Sequence, residues 1–182
     1  MVTILFEAHG TTTDNEQGLA SGLRDVALSS LGEEQAKQLS DRYADQLPSA
    51  VFCSDLQRSW RTAEIAFAAH NAPIIRDRRL RECDYGELTG KPNELVDTEK
   101  GNHISAPFPG GQSYAETTEL MKEFLGELEK RYDGKTVVVI GHRATQYALE
   151  HLINGEELHK VVTAPWTWQP GWVYSLSVPT AN

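Results

Sequence analysis

Apolar residues fall into two alternating patterns along the chain. Short runs rich in β-branched or aromatic residues, at 2–6, 50–53, 74–76, 136–140 and 172–176, predict strands. Longer stretches between them carry apolar residues at spacings of three and four, as in Ala36 and Leu39, and again in Leu120, Met121, Phe124, Leu125 and Leu128. These stripes predict helices with one face in a core. Three helix starts carry Ser three residues ahead of Glu or Gln, the spacing of a capping box: Ser30 with Glu33, Ser54 with Gln57, and Ser113 with Glu116. A fourth helix is predicted over 144–153, stopped by Gly155. Strands alternating with helices predict an α/β sandwich. No repeat or linker interrupts the pattern, so residues 1–182 are expected to form one domain.

The stretch 88–112 breaks the alternation, with Gly90, Pro92, Gly101, Pro107, Pro109, Gly110 and Gly111 spread through it. It reads as a lid or insertion over a site, or equally as structural filler. The aromatic cluster Trp166, Trp168 and Trp172 is expected to close the core, the alternative being a pocket wall.

A formal net charge of −9 argues against nonspecific nucleic acid binding, so an anionic ligand needs a local basic pocket. Cys53 and Cys83 are too few for a disulfide framework and are expected to be buried, reduced thiols. No run approaches the roughly 18 apolar residues of a membrane span, and the first residues lack the pattern of a signal peptide, which points to a cytoplasmic protein with no membrane partner. Nothing in the sequence sets an oligomeric state.

The chemistry starts with two histidines. His9 follows the first strand pattern and His142 follows the fourth, and ligands of open α/β sheets bind at such strand ends. Neutral imidazole can attack phosphorus. Arg58, in the string Ser54-Asp55-Leu56-Gln57-Arg58, can fork two hydrogen bonds onto phosphate oxygens at a helix start. Glu82, after Leu80 and Arg81, can protonate a departing alkoxide if partial burial raises its pKa. Gly141 before His142 permits close backbone approach.

In order, His9-Gly10 with Thr12 and Asn15, Ser21-Gly22, Ser54 to Arg58 with Thr62-Ala63, Leu80-Arg81-Glu82, Pro109-Gly110-Gly111 and Gly141-His142 resemble the histidine phosphatase superfamily, also called phosphoglycerate mutase-like. The resemblance spans nearly the whole chain. It implies a three-layer α/β/α sandwich with a mostly parallel central sheet, and neither metal nor cofactor. It also implies that His9 becomes phosphorylated, that His142 stabilises the transferring phosphoryl group, that Arg58 and Asn15 bind phosphate, and that Glu82 donates the proton. Ser21 and Gly22 match positions that approach substrate in the mutase branch.

The family opens on Arg-His-Gly-Glu, whereas this chain has Ala8-His9-Gly10-Thr11. Loss of one donor to the transition state typically costs about 10²–10³ in rate, so low activity is expected unless another cation compensates. Arg61 and Arg143 are unusual for the family at their positions and are the candidates for that role, with Arg61 three residues after Arg58 and hence expected on the same helix face.

The preferred reading is a phosphatase acting on a small phosphorylated substrate. Alternatives are a mutase, to which the chain's modest length is less suited, and a noncatalytic phosphoryl-ligand binder marked by Ala8. Cys-based chemistry needs Arg six residues after Cys, whereas Arg58 is five after Cys53 and Thr89 is six after Cys83. The six histidines and the acids show no spacing that would build a metal site locally.

Overall fold

The computed structural model describes residues 1–177. In chain order the elements are β1 (Val2–Ala8), α1 (Thr13–Glu16), α2 (Ser30–Tyr43), β2 (Val51–Cys53), α3 (Gln57–Ala66), β3 (Ile74–Arg76), α4 (Asn93–Glu99), α5 (Tyr114–Tyr132), β4 (Thr136–Gly141), α6 (Arg143–Asn154), α7 (Leu158–Thr163) and β5 (Trp172–Leu176). The strands form one sheet in the order β3-β2-β4-β1-β5. All neighbours are parallel except β1 and β5.

Side chains alternate across the sheet, which sorts the core into two layers. Val137 and Val139 of β4, with Ile4 and Phe6 of β1, pack against Phe124 and Leu128 of α5 and Leu149 of α6. Val138 and Ile140 face the other way, against Leu39 and Tyr43 of α2 and Ala63 of α3. The result is the three-layer sandwich. Of the α5 stripe only Leu120 stays partly exposed. No helix among the described residues is long and apolar enough to cross a membrane.

The five strand expectations hold to within two residues at their ends. Among the capping boxes, Ser113 with Glu116 is present as read, and α6 ends on Gly155 in the left-handed conformation. The other two need correction. The cap of α2 is Ser29, not Ser30, because the loop before α2 is fixed to Thr11: the Ser29 N–H donates to the Thr11 carbonyl at 2.9 Å. Gly32 then lies so close that a Cβ on it would come within 2.0 Å of the Thr11 oxygen. The cap position of α3 is Leu56, and Ser54 is used elsewhere.

The stretch 88–112 is more ordered than its glycines and prolines suggest. It contains α4, and Val96 and Phe108 join Cys83, Tyr85, Tyr114, Tyr147 and Val162 in a second core under the carboxyl edge of the sheet. The short α7 was not legible in the sequence.

Candidate active site

Parallel pairing of β1 with β4 does the main positioning. Ala8 stands opposite Gly141 in the register, so the next residue of each strand leaves the sheet at the same edge. The His9 N–H donates to the Gly141 carbonyl at 3.1 Å. The imidazole rings of His9 and His142 consequently lie with centroids 5.0 Å apart, tilted by 55°. His9 Nδ1 is 2.7 Å from the Gly10 carbonyl, which can only accept. That bond places the ring proton on Nδ1 and leaves Nε2 with a free lone pair. Gly10 is required there, since a Cβ would meet the Gly32 carbonyl oxygen at 2.6 Å.

His142 is held from the opposite side. Its Nε2 lies 2.8 Å from Ser54 Oγ, while its Nδ1 is enclosed at the start of α6 with no hydrogen-bond partner among the described residues. Which of the two atoms donates follows the ring tautomer. Ser54, taken from the sequence as a helix cap, is thus a positioning residue. Ser54→Ala is expected to lower kcat about tenfold, the worth of one such hydrogen bond. The ring ¹⁵N shifts of His142 should move with it, and unchanged shifts together with an unchanged kcat would show that Ser54 only packs.

Around this pair, Asn15 uses Oδ1 to accept the Thr12 N–H at 3.0 Å, so the group it can offer a ligand is the Nδ2 donor. Ser21 Oγ donates to the buried Asp14 at 3.1 Å. Arg58 is 1% exposed and donates to the carbonyls of Gly22 at 2.7 Å and Arg24 at 2.8 Å, tying that loop to α3. Glu82 is buried, and its Oε1 accepts from the N–H groups of Cys83 at 2.8 Å and Ala144 at 3.1 Å. Oε2 has no such backbone donor among the described residues.

One cavity of about 620 Å³ is lined by every candidate residue except Arg61: His9, Gly10, Asn15, Ser21, Gly22, Arg58, Glu82, His142 and Arg143. Arg61, although one helical turn from Arg58, is on the exposed flank of α3, where it pairs with Glu64 at 3.4 Å. It cannot stand in for an Arg at position 8. Arg143 is in the wall, but its guanidinium is tethered to Asp97 at 3.2 Å and Asn93 at 2.9 Å. Ala8 itself lines the cavity.

Several wall residues carried no sequence signal. Tyr85 comes from the segment just before the irregular stretch, Asn93 from within it, and Gln35 and Arg42 from α2. Trp166 and Trp168 line the cavity; Trp166 also packs on the second core, as expected, and Trp172 packs edge-on against Phe6, so the expectation of core closure is corrected only for the exposed Trp168. Cys53 and Cys83 are buried, and burial pushes the Cys53 thiol up to about 12, which leaves little thiolate for nucleophilic chemistry.

Burial, reinforced by the Arg58 charge and only partly opposed by the Gly10 carbonyl, lowers the His9 pKa to about 3. The same two causes, then His9, hold His142 well below its ordinary value. The attacking form of imidazole is the neutral one, so His9 stays competent as pH falls through 6 and 5. The acid limb that an ordinary His would give near 6.5 therefore moves far to the acid side. An NMR titration of His9 in the free protein should show neutral imidazole down to about pH 4, and a midpoint near 6.5 would contradict the assignment.

A phosphoserine phosphatase of Hydrogenobacter thermophilus is 31% identical over 169 residues, covering 88% of this chain and 80% of its own. The uncharacterised phosphatase PhoE of Bacillus subtilis is 29% identical over 155 residues, covering 85% and 79%. Among solved structures, a mycobacterial glucosyl-3-phosphoglycerate phosphatase complexed with VO3 superposes with a TM-score of 0.80 at 21% identity, over 90% of this chain and 87% of that one. Residues 4–173 match the sequence profile of the histidine phosphatase superfamily, branch 1, and the chain belongs to that superfamily as an enzyme of histidine phosphatase type.

Proposed function

We propose that this protein is a cytoplasmic phosphomonoester hydrolase that needs no metal and works through a phosphohistidine at His9, on a small phosphorylated metabolite. The observation that carries the reading is the pair of imidazoles 5.0 Å apart in one cavity with Arg58 and Glu82, the Gly10 carbonyl holding the Nδ1–H of His9 and leaving its Nε2 unprotonated.

In the proposed cycle His9 Nε2 attacks phosphorus and the bond from phosphorus to the ester oxygen breaks. The Gly10 carbonyl, on Nδ1–H, supports the positive charge that builds on the ring. Arg58, Asn15 and His142 bind the nonbridging oxygens, where electrostatic stabilisation supplies most of the acceleration in phosphoryl transfer. Glu82, protonated, passes its proton to the departing alkoxide, which leaves as the alcohol. As a carboxylate it then takes a proton from water, the resulting hydroxide attacks the phosphohistidine, and the P–N bond breaks to release inorganic phosphate. Ser21 and Gly22 border the leaving-group side, and Arg143, held by Asp97 and Asn93, adds positive charge to the wall.

The two relatives given above are named phosphatases, whereas others, 29% identical over 150 residues, are named probable phosphoglycerate mutase, so the test has to separate hydrolysis from isomerisation. A panel of phosphomonoesters that includes a phosphoglycerate, assayed with and without chelator, tests the proposal. The expected result is release of inorganic phosphate that chelator does not change, with no isomerised phosphoglycerate. Rates that collapse with chelator, or isomerisation without release, would overturn it.

A further inference from the structure

Phosphoryl transfer places negative charge on the oxygens of the moving group, and the cations of the cavity wall that can meet it are Arg42, Arg58 and Arg143. They differ in what offsets them. Arg42 donates to the buried Glu7 at 2.7 Å, so one cation of the wall stands against one anion of the same wall. Arg58 is bonded to the carbonyls of Gly22 and Arg24, which are neutral. Position 8, at the end of β1 in the same wall, offers only a methyl group. The third cation is Arg143.

Arg143 is the first residue of α6, directly after His142, and its guanidinium is held from α4. Its Nη1 donates to Asp97 Oδ1 at 3.2 Å and its Nη2 to Asn93 Oδ1 at 2.9 Å. Asn93 donates in turn to Asp97 Oδ2 at 3.0 Å, so the three side chains close a ring. Lys100, just past the end of α4, brings its Nζ to 3.4 Å from the same Asp97 Oδ1 and donates to the Ala164 carbonyl at 3.4 Å. Two cations thus share one carboxylate, and the cluster keeps a positive charge where the pair of Arg42 and Glu7 keeps none. Asp97 is also the more solvated partner, its side chain 40% exposed against 22% for Arg143, so water screens part of its pull. Arg143 and Asn93 line the cavity, whereas Asp97 and Lys100 do not.

We propose that Asp97 is a positioning residue of the site: shared between Lys100 and Arg143, its carboxylate fixes the Arg143 guanidinium in the wall as the second cation, beside Arg58, on the transferring phosphoryl group. The inference rests on the phosphomonoester hydrolase reading and goes beyond it by making α4 part of the catalytic apparatus. A guanidinium immobilised before the substrate arrives stabilises the transition state without reorganising, which is where such a donor has its largest effect. Asn93 and Asp97 hold two different nitrogens of the planar fork, so its orientation is set as well as its place.

The test is a double-mutant cycle of Arg143→Ala and Asp97→Ala, read on phosphate release from 4-nitrophenyl phosphate, whose aryl leaving group makes little demand on Glu82. Both side chains are partly exposed, so neither substitution opens the core. Arg143→Ala is expected to lower kcat about 100-fold with KM changed far less, the pattern of a contact made mainly in the transition state. Asp97→Ala is expected to lower kcat about tenfold where Arg143 is present and not at all in Arg143→Ala, because the carboxylate acts only through that guanidinium. Asp97→Asn, which keeps the shape and an oxygen for the Arg143 N–H, should lose less than Asp97→Ala. Arg143→Gln takes the place of Arg143→Ala in the cycle should the latter not fold. An unchanged kcat in the Arg143 variant, or an Asp97→Ala loss as large without Arg143 as with it, would overturn the proposal while leaving hydrolysis intact. Should the wild type release no phosphate, the hydrolase reading fails instead, and calorimetry with inorganic phosphate decides the inference. A Kd that rises in Arg143→Ala, and in Asp97→Ala only where Arg143 is present, supports it; any other pattern overturns it.

Discussion

Replacing His9 with Ala is expected to lower kcat by at least about 10⁴-fold, the scale on which removal of a covalent nucleophile acts. No neighbouring group can take over. His142 has Nε2 engaged with Ser54 and sits deeper than His9, and the two thiols are buried outside the cavity with little thiolate. Binding should survive, because Arg58, Asn15 and His142 remain in the wall. Steady-state phosphate release and calorimetry with inorganic phosphate check both halves. A variant that keeps a hundredth of the wild-type rate would assign the attack to another group.

Glu82→Gln is expected to have the second-largest effect, about 10²- to 10⁴-fold in kcat on alkyl esters, the range for loss of a general acid–base group. Gln preserves the shape and still offers an oxygen to the Cys83 and Ala144 N–H groups, so the fold around it should persist. What it lacks is the acidic proton. An alkoxide cannot depart without that proton, whereas the phenolate of an activated aryl ester can. Formation of the phosphoenzyme from such an aryl ester should therefore be slowed far less than from an alkyl ester. Equal losses on both would show that Glu82 positions the substrate without passing a proton.

Much of the fold was legible because its signals are local. Strand runs and the α5 stripe depend on periodicity alone, and the box at Ser113 and Glu116 closes within four residues. The two histidines were legible as strand-end residues, but their adjacency depends on β1 and β4 being sheet neighbours, which no local pattern encodes.

The misreadings share a cause, tertiary contacts overriding local chemistry. Ser29 caps α2 in preference to Ser30, although Ser30 has the acid at the right spacing, because Thr11 pulls the helix start one residue back. Ser54 has the right spacing to Gln57 but is committed to His142. Arg61 is one turn from Arg58, yet one is buried and the other exposed, because a turn of 3.6 residues leaves i and i+3 some way apart around the axis. The glycines and prolines of 88–112 obscured α4, which is held by its second core rather than by propensity.

The most direct measurement is mass spectrometry of the protein quenched during turnover of a phosphomonoester, under conditions that preserve phosphoramidates. One phosphoryl group on His9 is the expected result, with none on His142 and none anywhere in His9→Ala. A protein that releases phosphate yet carries no label, or carries it on another residue, would contradict covalent catalysis by His9.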